Sequence, residues 1–190
     1  KGDVNPFDEC ALEAALRLSD DITVLSMGPV SCREPLQKLT RLGARCILLS
    51  DSDFAGSDTL ATSYILSEAA KKAGFDLIIC GRQSIDGDTG QVGAMMSHML
   101  DIRLYPFVTK LEGLRAHMRS GKTEDIKLPA LITVERINTL RFPSIRSRAG
   151  EVTVWDNSVL GADTERCGIL GSPTRVIKSF ENESGKRHCR

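Results

Sequence analysis

The residues best suited to chemistry run in one block: Gly81-Arg82-Gln83-Ser84-Ile85-Asp86-Gly87-Asp88-Thr89-Gly90-Gln91-Val92. An apolar run of strand length (Leu77, Ile78, Ile79, Cys80) leads into it, and an amphipathic helix opens near Gly90–Gln91. Strand, glycine-rich loop and helix start together form a cradle for an anion. Amides at a helix N-terminus face negative charge, and missing Cβ atoms let a phosphate approach the main chain. The block is not a Walker A loop, because no Gly-Lys-Ser/Thr follows it. Nor is it a Gly-x-Gly-x-x-Gly fingerprint, since the glycines at 81, 87, 90 and 93 have the wrong spacing. The residues read as an adenine-nucleotide loop; a solvated strand-to-helix turn carries the same letters.

The rest of the composition removes other chemistries. Lys plus Arg and Asp plus Glu number 25 each in 190 residues, so no global field favours nucleic acid or an acidic membrane surface. Aromatic residues make up 5%, too few for a base-stacking surface. No apolar run approaches the ~20 residues of a membrane-spanning helix, and the first residues are no signal peptide. Cys10, Cys32, Cys46, Cys80, Cys167 and Cys189 form no Cys-x-x-Cys and sit mostly in apolar patterns, as packed thiols in a reducing compartment do. His98, His117 and His188 are scattered without a second ligand at metal spacing, so no metal site is expected. No Ser/His/Asp or Cys/His constellation is visible, and no catalytic residue is assigned.

The elements that must hold the loop follow from local signals. Asn5-Pro6-Phe7-Asp8 is a helix start, with Asn as N-cap, Pro at the first position and Asp near the positive end of the dipole. That helix puts Ala11, Leu12, Ala15 and Leu16 on one face and Glu9, Glu13 and Arg17 on the other, with Glu13→Arg17 as an i,i+4 pair. A strand over Ile22–Met27 ends at Gly28-Pro29. Ser31-Cys32-Arg33-Glu34 reads as a capping box for a helix carrying Leu36, Leu39 and Leu42 and closing at Gly43. Cys46–Leu49 is the next strand. Asp58 or Ser57 caps a helix to Gly74 with Ala61, Ile65 and Ala69 inward, and a helix from Gln91 to about Asp101 follows the loop.

Strands alternating with helical crossovers imply a parallel sheet, which binds ligands at the carboxyl ends of its strands. Those ends would gather Ser26-Met27-Gly28, Ser50-Asp51 and Gly81–Gly90. Such a sheet normally starts on a strand, whereas this chain opens on a helix, so a leading strand is expected to be missing. Beyond Tyr105, Phe107–Leu111, Leu114–Arg119 and Ile126–Val134 look like short antiparallel strands, with Ser120-Gly121-Lys122 as a turn. A basic, loop-like stretch from Arg136 to Arg148 follows, then a short strand over Glu151–Trp155. The tail from Ser179 is charged and without period. The organisation expected is an α/β core over residues 1–104, antiparallel strands with an exposed loop in the same domain over 105–157, and a C-terminal arm over 158–190.

Six motifs, in order, resemble the beta subunit of electron-transfer flavoproteins. They are Asn5-Pro6-Phe7-Asp8-Glu9 before an Ala/Leu helix, Leu25-Ser26-Met27-Gly28-Pro29, Phe54 through Ser63, Cys80 through Gly93, Lys127-Leu128-Pro129-Ala130, and Arg141-Phe142-Pro143-Ser144-Ile145. The resemblance implies a Rossmann-like fold of the adenine-nucleotide α-hydrolase-like type with a small antiparallel appendage. It implies a heterodimer with an alpha subunit that carries FAD, and an AMP or a second FAD in this chain. The family's nucleotide contacts map onto Asn5, Pro6, Phe7 and Asp8, onto Met27, and onto the loop from Gly81 to Val92. Asp58, Thr59 and Thr62 match a segment that lies near the second flavin where one is bound. Arg141, Ile145 and Arg146 match a recognition loop that docks flavin dehydrogenases such as acyl-CoA dehydrogenases.

The Asp86-Gly87-Asp88-Thr89-Gly90-Gln91-Val92-Gly93 form looks like that of FAD-binding, electron-bifurcating members. AMP-binding members tend to carry a further acid where Gly87 stands, and its absence leaves room for a pyrophosphate. Thr89 and Gln91 can donate hydrogen bonds, Asp86 or Asp88 can accept from ribose hydroxyls, and Arg82 is the nearest cation. Arg82 and Arg141 are candidates for tuning a flavin. The family's Asn-Glu-Pro-Arg is here Asn138-Thr139-Leu140-Arg141, and the lysine-rich stretch after the recognition loop is shortened to Arg146–Gly150. The expected role is an electron carrier rather than an enzyme, cytoplasmic in a bacterium or in the mitochondrial matrix of a eukaryote. A stand-alone adenine-nucleotide-binding protein of the universal-stress or ATP-pyrophosphatase-like class is the alternative.

Overall fold

A computed structural model describes residues 4–85 and 87–174. Its first helix, α1 (Pro6–Leu18), starts where the local signals place it, with Asn5 as N-cap and Asp8 and Glu9 in the first turn. Strand β1 (Thr23–Met27) leads to a 3₁₀ turn at Val30–Cys32 and helix α2 (Arg33–Thr40). The Ser31–Glu34 capping box does not form. Val30–Cys32 is already wound into the 3₁₀ turn, so Cys32 is the N-cap of α2 and its side chain makes no cap bond. Strand β2 (Arg45–Leu49) follows, and then α3 (Thr59–Ala73). Asp58 caps α3 by accepting from the amides of Leu60 and Ala61, and Gly74 ends it at φ 77°, where a side chain is disfavoured. Strand β3 (Leu77–Gly81), the loop and α4 (Val92–Met99) complete this half.

The remaining strands are β4 (Arg103–Glu112), β5 (Arg115–Met118), β6 (Thr123–Asp125), β7 (Ala130–Val134) and β8 (Val152–Trp155). They form two sheets with β1–β3, ordered β1-β2-β8 and β3-β7-β4-β5-β6. All pairs in the first sheet are parallel, as are β3–β7 and β7–β4 in the second. Only β4–β5 and β5–β6 run antiparallel, so the small antiparallel appendage is real but narrower than the sequence reading. The stretch Ile126–Val134, read as antiparallel, ends instead in a central parallel strand. Its Ala130-Leu131-Ile132-Thr133-Val134 is buried on both faces, the environment of a parallel core strand. Residues 152–155 likewise return to pair with β2.

Strand β4 serves both arrangements through an irregularity. Its parallel register with β7 shifts between Tyr105 and Val108. Pro106 has no amide to give the ladder, Phe107 turns to φ 51°, and the Phe107 amide is satisfied by Thr133 Oγ1 at 2.9 Å.

Helix α1 packs against both sheets. Cys10 and Ala11 join the cluster around Tyr105, Val108 and Ile132, while Leu12 joins the one around Leu36, Leu48 and Val152. On α3, Ala61, Ile65 and Ala69 are fully buried, as their spacing predicts. Glu13 departs from its expected outward face: only 3% of it is exposed. A short helix, α5 (Asn157–Leu160), and a 3₁₀ turn at Thr164–Arg166 begin the C-terminal segment. The Asp163 amide donates to Tyr64 Oη on α3 at 3.0 Å. The tail from Ser179 lies outside the described residues. Among those described, no helix is long and apolar enough to cross a membrane.

Candidate nucleotide site

Helix α1 meets β3 at the base of the loop. The Asp8 carboxylate accepts from the Gly81 amide at 2.8 Å through one oxygen and from Asn5 Nδ2 at 2.7 Å through the other. Asn5 Nδ2 also donates to the Gln83 carbonyl at 2.8 Å. A Cβ on Gly81 would fall 2.6 Å from Phe7 Cβ, so the glycine is demanded by close approach. Phe7 is buried there, and Pro6 starts the helix that carries all of them.

Beyond that base the loop opens. Ser84, Ile85, Gly87, Asp88 and Thr89 are exposed, Gln91 is exposed, and Gly90 and Val92 are half-buried. Asp86 lies outside the described residues. Asp88 sits at φ 49°, its amide donating to the Ser84 carbonyl at 3.1 Å, and its carboxylate accepts from Gln83 Nε2. Asp88 therefore braces the loop as well as facing solvent. Gly90 adopts φ 62° just before α4. The first amides of that helix have no intrahelical acceptor, as at any helix start. Gly93, outside the expected set, is required for packing, since a Cβ there would lie 2.7 Å from Thr133 Cγ2.

A cationic cluster flanks the loop. Arg82 Nη1 pairs with Glu135 Oε2 at 3.3 Å, and Arg119 Nη1 reaches the same carboxylate at 3.0 Å. The guanidinium groups of Arg82 and Arg136 both lie 5.0 Å from the centre of the Phe7 ring. Arg82 Nε is buried and has no hydrogen-bond partner. Glu135 and Arg136 were not legible as site residues, because neither belongs to a local motif. Cys80 lies at the end of β3, where burial, and then the Asp8 charge, push its thiol up to about 12.

The segment at the start of α3 meets the loop through Thr59 Oγ1 and Thr89 Oγ1, 3.4 Å apart. Asp58 turns the other way: besides capping α3 it accepts from Thr174 Oγ1 at 2.7 Å. Burial raises its carboxyl, but hydrogen bonds from Thr174 and the α3 amides outweigh this and hold it below the ordinary range. Thr62, half-buried, donates its amide to the Asp58 carbonyl at 2.9 Å. Met27 ends β1 and packs with the cluster around Leu49, Phe54 and Ile65.

The basic loop lies elsewhere along α1. Arg141 donates from its main-chain amide and Nε to Glu13 Oε2 at 3.1 and 3.0 Å, and from Nη2 to Oε1 at 3.1 Å. Arg17 Nε adds 2.8 Å to Oε1. Next to this fixed point, Phe142 and Ile145 are 96% and 99% exposed, and Arg146 is exposed beside them.

The electron transfer flavoprotein domain matches residues 1–160. The chain belongs to the electron transfer flavoprotein family. It is 40% identical over 201 aligned residues to the electron transfer flavoprotein subunit beta of Megasphaera elsdenii, covering 93% of this chain and 74% of that protein. Protein FixA of Azotobacter vinelandii is 41% identical, with 93% and 72% covered. Subunit CarD of the caffeyl-CoA reductase-Etf complex of Acetobacterium woodii is 37% identical, with 93% and 75% covered. The parallel α/β fold accords with this family, and the chain is of the beta-subunit type. Among its described residues no group of three or more His, Cys, Asp or Glu is placed to hold a metal ion.

Proposed function

We propose that this beta-type subunit binds FAD between its Gly81–Val92 loop and the N-termini of α1 and α4, in a heterodimer with an FAD-carrying alpha subunit. The observation that carries the reading is the contrast within the loop: Asn5 and Asp8 fasten its base, while Ser84, Ile85, Gly87, Asp88 and Thr89 present exposed chain. The residues fit a dinucleotide. The buried, unpartnered Arg82 Nε is a donor in want of an acceptor, and Gly87 brings neither bulk nor charge toward a pyrophosphate.

FAD supplies the redox chemistry, accepting and passing electrons through its isoalloxazine ring. The protein's part is binding and orientation. Amides of Val92 and Gly93 would face phosphate oxygens, Thr89 and Gln91 would donate to the ligand, and Asp88 would accept from ribose while keeping the loop braced. Thr59, across from Thr89, and Thr62 on the same helix would border the flavin end. Two flavins in the heterodimer is the count that electron bifurcation requires, and kinship with an Etf subunit of a caffeyl-CoA reductase complex supports that role. The exposed Phe142–Ile145 loop supports docking of flavin dehydrogenases such as acyl-CoA dehydrogenases. A bacterial, cytoplasmic setting accompanies this reading.

The test is a cofactor count on the heterodimer purified after co-expression with the alpha subunit. Two flavins per heterodimer are expected. One flavin plus one AMP would replace FAD by AMP in this chain, and a colourless protein that does not assemble would remove the whole reading.

A further inference from the structure

The buried Glu13 carboxylate belongs to no nucleotide contact, yet it collects three hydrogen bonds from Arg141 and one from Arg17. It sits in the middle of α1, and its main partner is the residue immediately before Phe142. The far side of the same loop is held from α2. Arg41 donates to the carbonyls of Ser144 and Ser147, each at 3.3 Å, and the Gly150 amide donates to Thr40 Oγ1 at 2.7 Å.

The loop is thus fastened at both ends while Phe142 and Ile145 stand almost wholly in solvent. An unfastened loop would fold such side chains onto the nearest apolar surface. The guanidinium groups of Arg146 and Arg148 have no carboxylate partner among the described residues, so the rim carries unspent positive charge.

We propose that Glu13 is a positioning residue for partner docking: from inside the protein it fixes a loop whose Phe142 and Ile145 together enter an apolar, acid-rimmed pocket of a flavin dehydrogenase. This rests on the docking role proposed above and adds a second apolar anchor and the internal support. A loop ordered before contact spares the complex the entropy of ordering it, so losing the support weakens association and leaves the electron-transfer step intact.

The experiment uses the heterodimer with a purified acyl-CoA dehydrogenase and its acyl-CoA, following flavin reduction against protein concentration. Ile145→Ala and Phe142→Ala are each expected to raise the half-saturating concentration about tenfold or more. Glu13→Gln and Arg41→Ala are expected to raise it about three- to tenfold, with maximal rate and bound nucleotide unchanged. If Glu13→Gln fails to fold, Arg41→Ala, on the surface side of the loop, carries the same comparison. Half-saturation unchanged in the folded support variants overturns the positioning role, as does a parallel loss of maximal rate and nucleotide. If neither Ile145→Ala nor Phe142→Ala alters half-saturation, the docking reading itself fails and this inference goes with it.

Discussion

Gly81 and Phe7 approach so closely that a β-carbon on the glycine would lie 2.6 Å from Phe7 Cβ and 2.7 Å from the Phe7 carbonyl carbon. The first helix therefore rests on the end of β3 at the point where the loop leaves the sheet. Gly81→Ala must push α1 and β3 apart, which overpacking of this kind makes costly by about 1–3 kcal/mol. A lowered thermal midpoint with reduced nucleotide content is expected; an alanine variant as stable as the parent would show that this contact does not hold the site.

Glu13 gives a pH signature. Hydrogen bonding from Arg141 leads the causes that hold its carboxyl at about 2, against an ordinary 4.5. A folded pKa below the unfolded one adds stability that is complete above pH about 4.5 and vanishes as pH falls through about 2. Arg141 is half-exposed, so solvent screens the pair, but removing its side chain leaves the buried Glu13 carboxylate short of donors and lowers stability at neutral pH. In urea unfolding, the deficit of Arg141→Ala against the parent should shrink between pH about 5 and about 2. A deficit constant across that range would contradict the pairing.

Burial pushes the thiols of Cys46 and Cys167 up to about 11 and that of Cys80 to about 12. Since the thiolate is the reactive form, none of the three should be alkylated by iodoacetamide at mildly alkaline pH until denaturant is added. Peptide mass mapping before and after unfolding checks this, and rapid labelling of native Cys80 would count against its place beneath the loop.

At the loop itself, Gly90→Val places a branched side chain at φ 62°. Asp88→Arg removes the acceptor that Gln83 uses. Both variants should fold and assemble but lose bound nucleotide, measured by chromatography of the heat-released ligand. Undiminished nucleotide in either would exclude the loop from the site.

Where sequence reading succeeded, the signal was local. Asp58 before an apolar period and Gly74 after it bound α3, and Asn5-Pro6 starts α1, because caps are settled within a few residues. Where it failed, a distant partner decided. Glu13 looks like an outward acid by helical period, but Arg141 draws it inside. Residues 130–134 look like a further antiparallel strand, but β3 and β4 flank them on both sides. Ser31 and Glu34 have capping-box spacing, but the turn before them is already wound. Around the candidate site, the loop between β3 and α4 was legible from its glycines and flanking elements, whereas the approach of Glu135 and Arg136 to it carries no motif.

By itself, then, the sequence determined the β/α alternation, the glycine-rich strand-to-helix loop and the family, because periodicity, capping and motif spacing are properties of short contiguous stretches. Only the tertiary structure decided which side chains fasten that loop and which hold Phe142 and Ile145 in solvent. Those choices rest on pairs such as Asn5–Gln83 and Glu13–Arg141, 78 and 128 residues apart, whose meeting depends on the path of the whole chain.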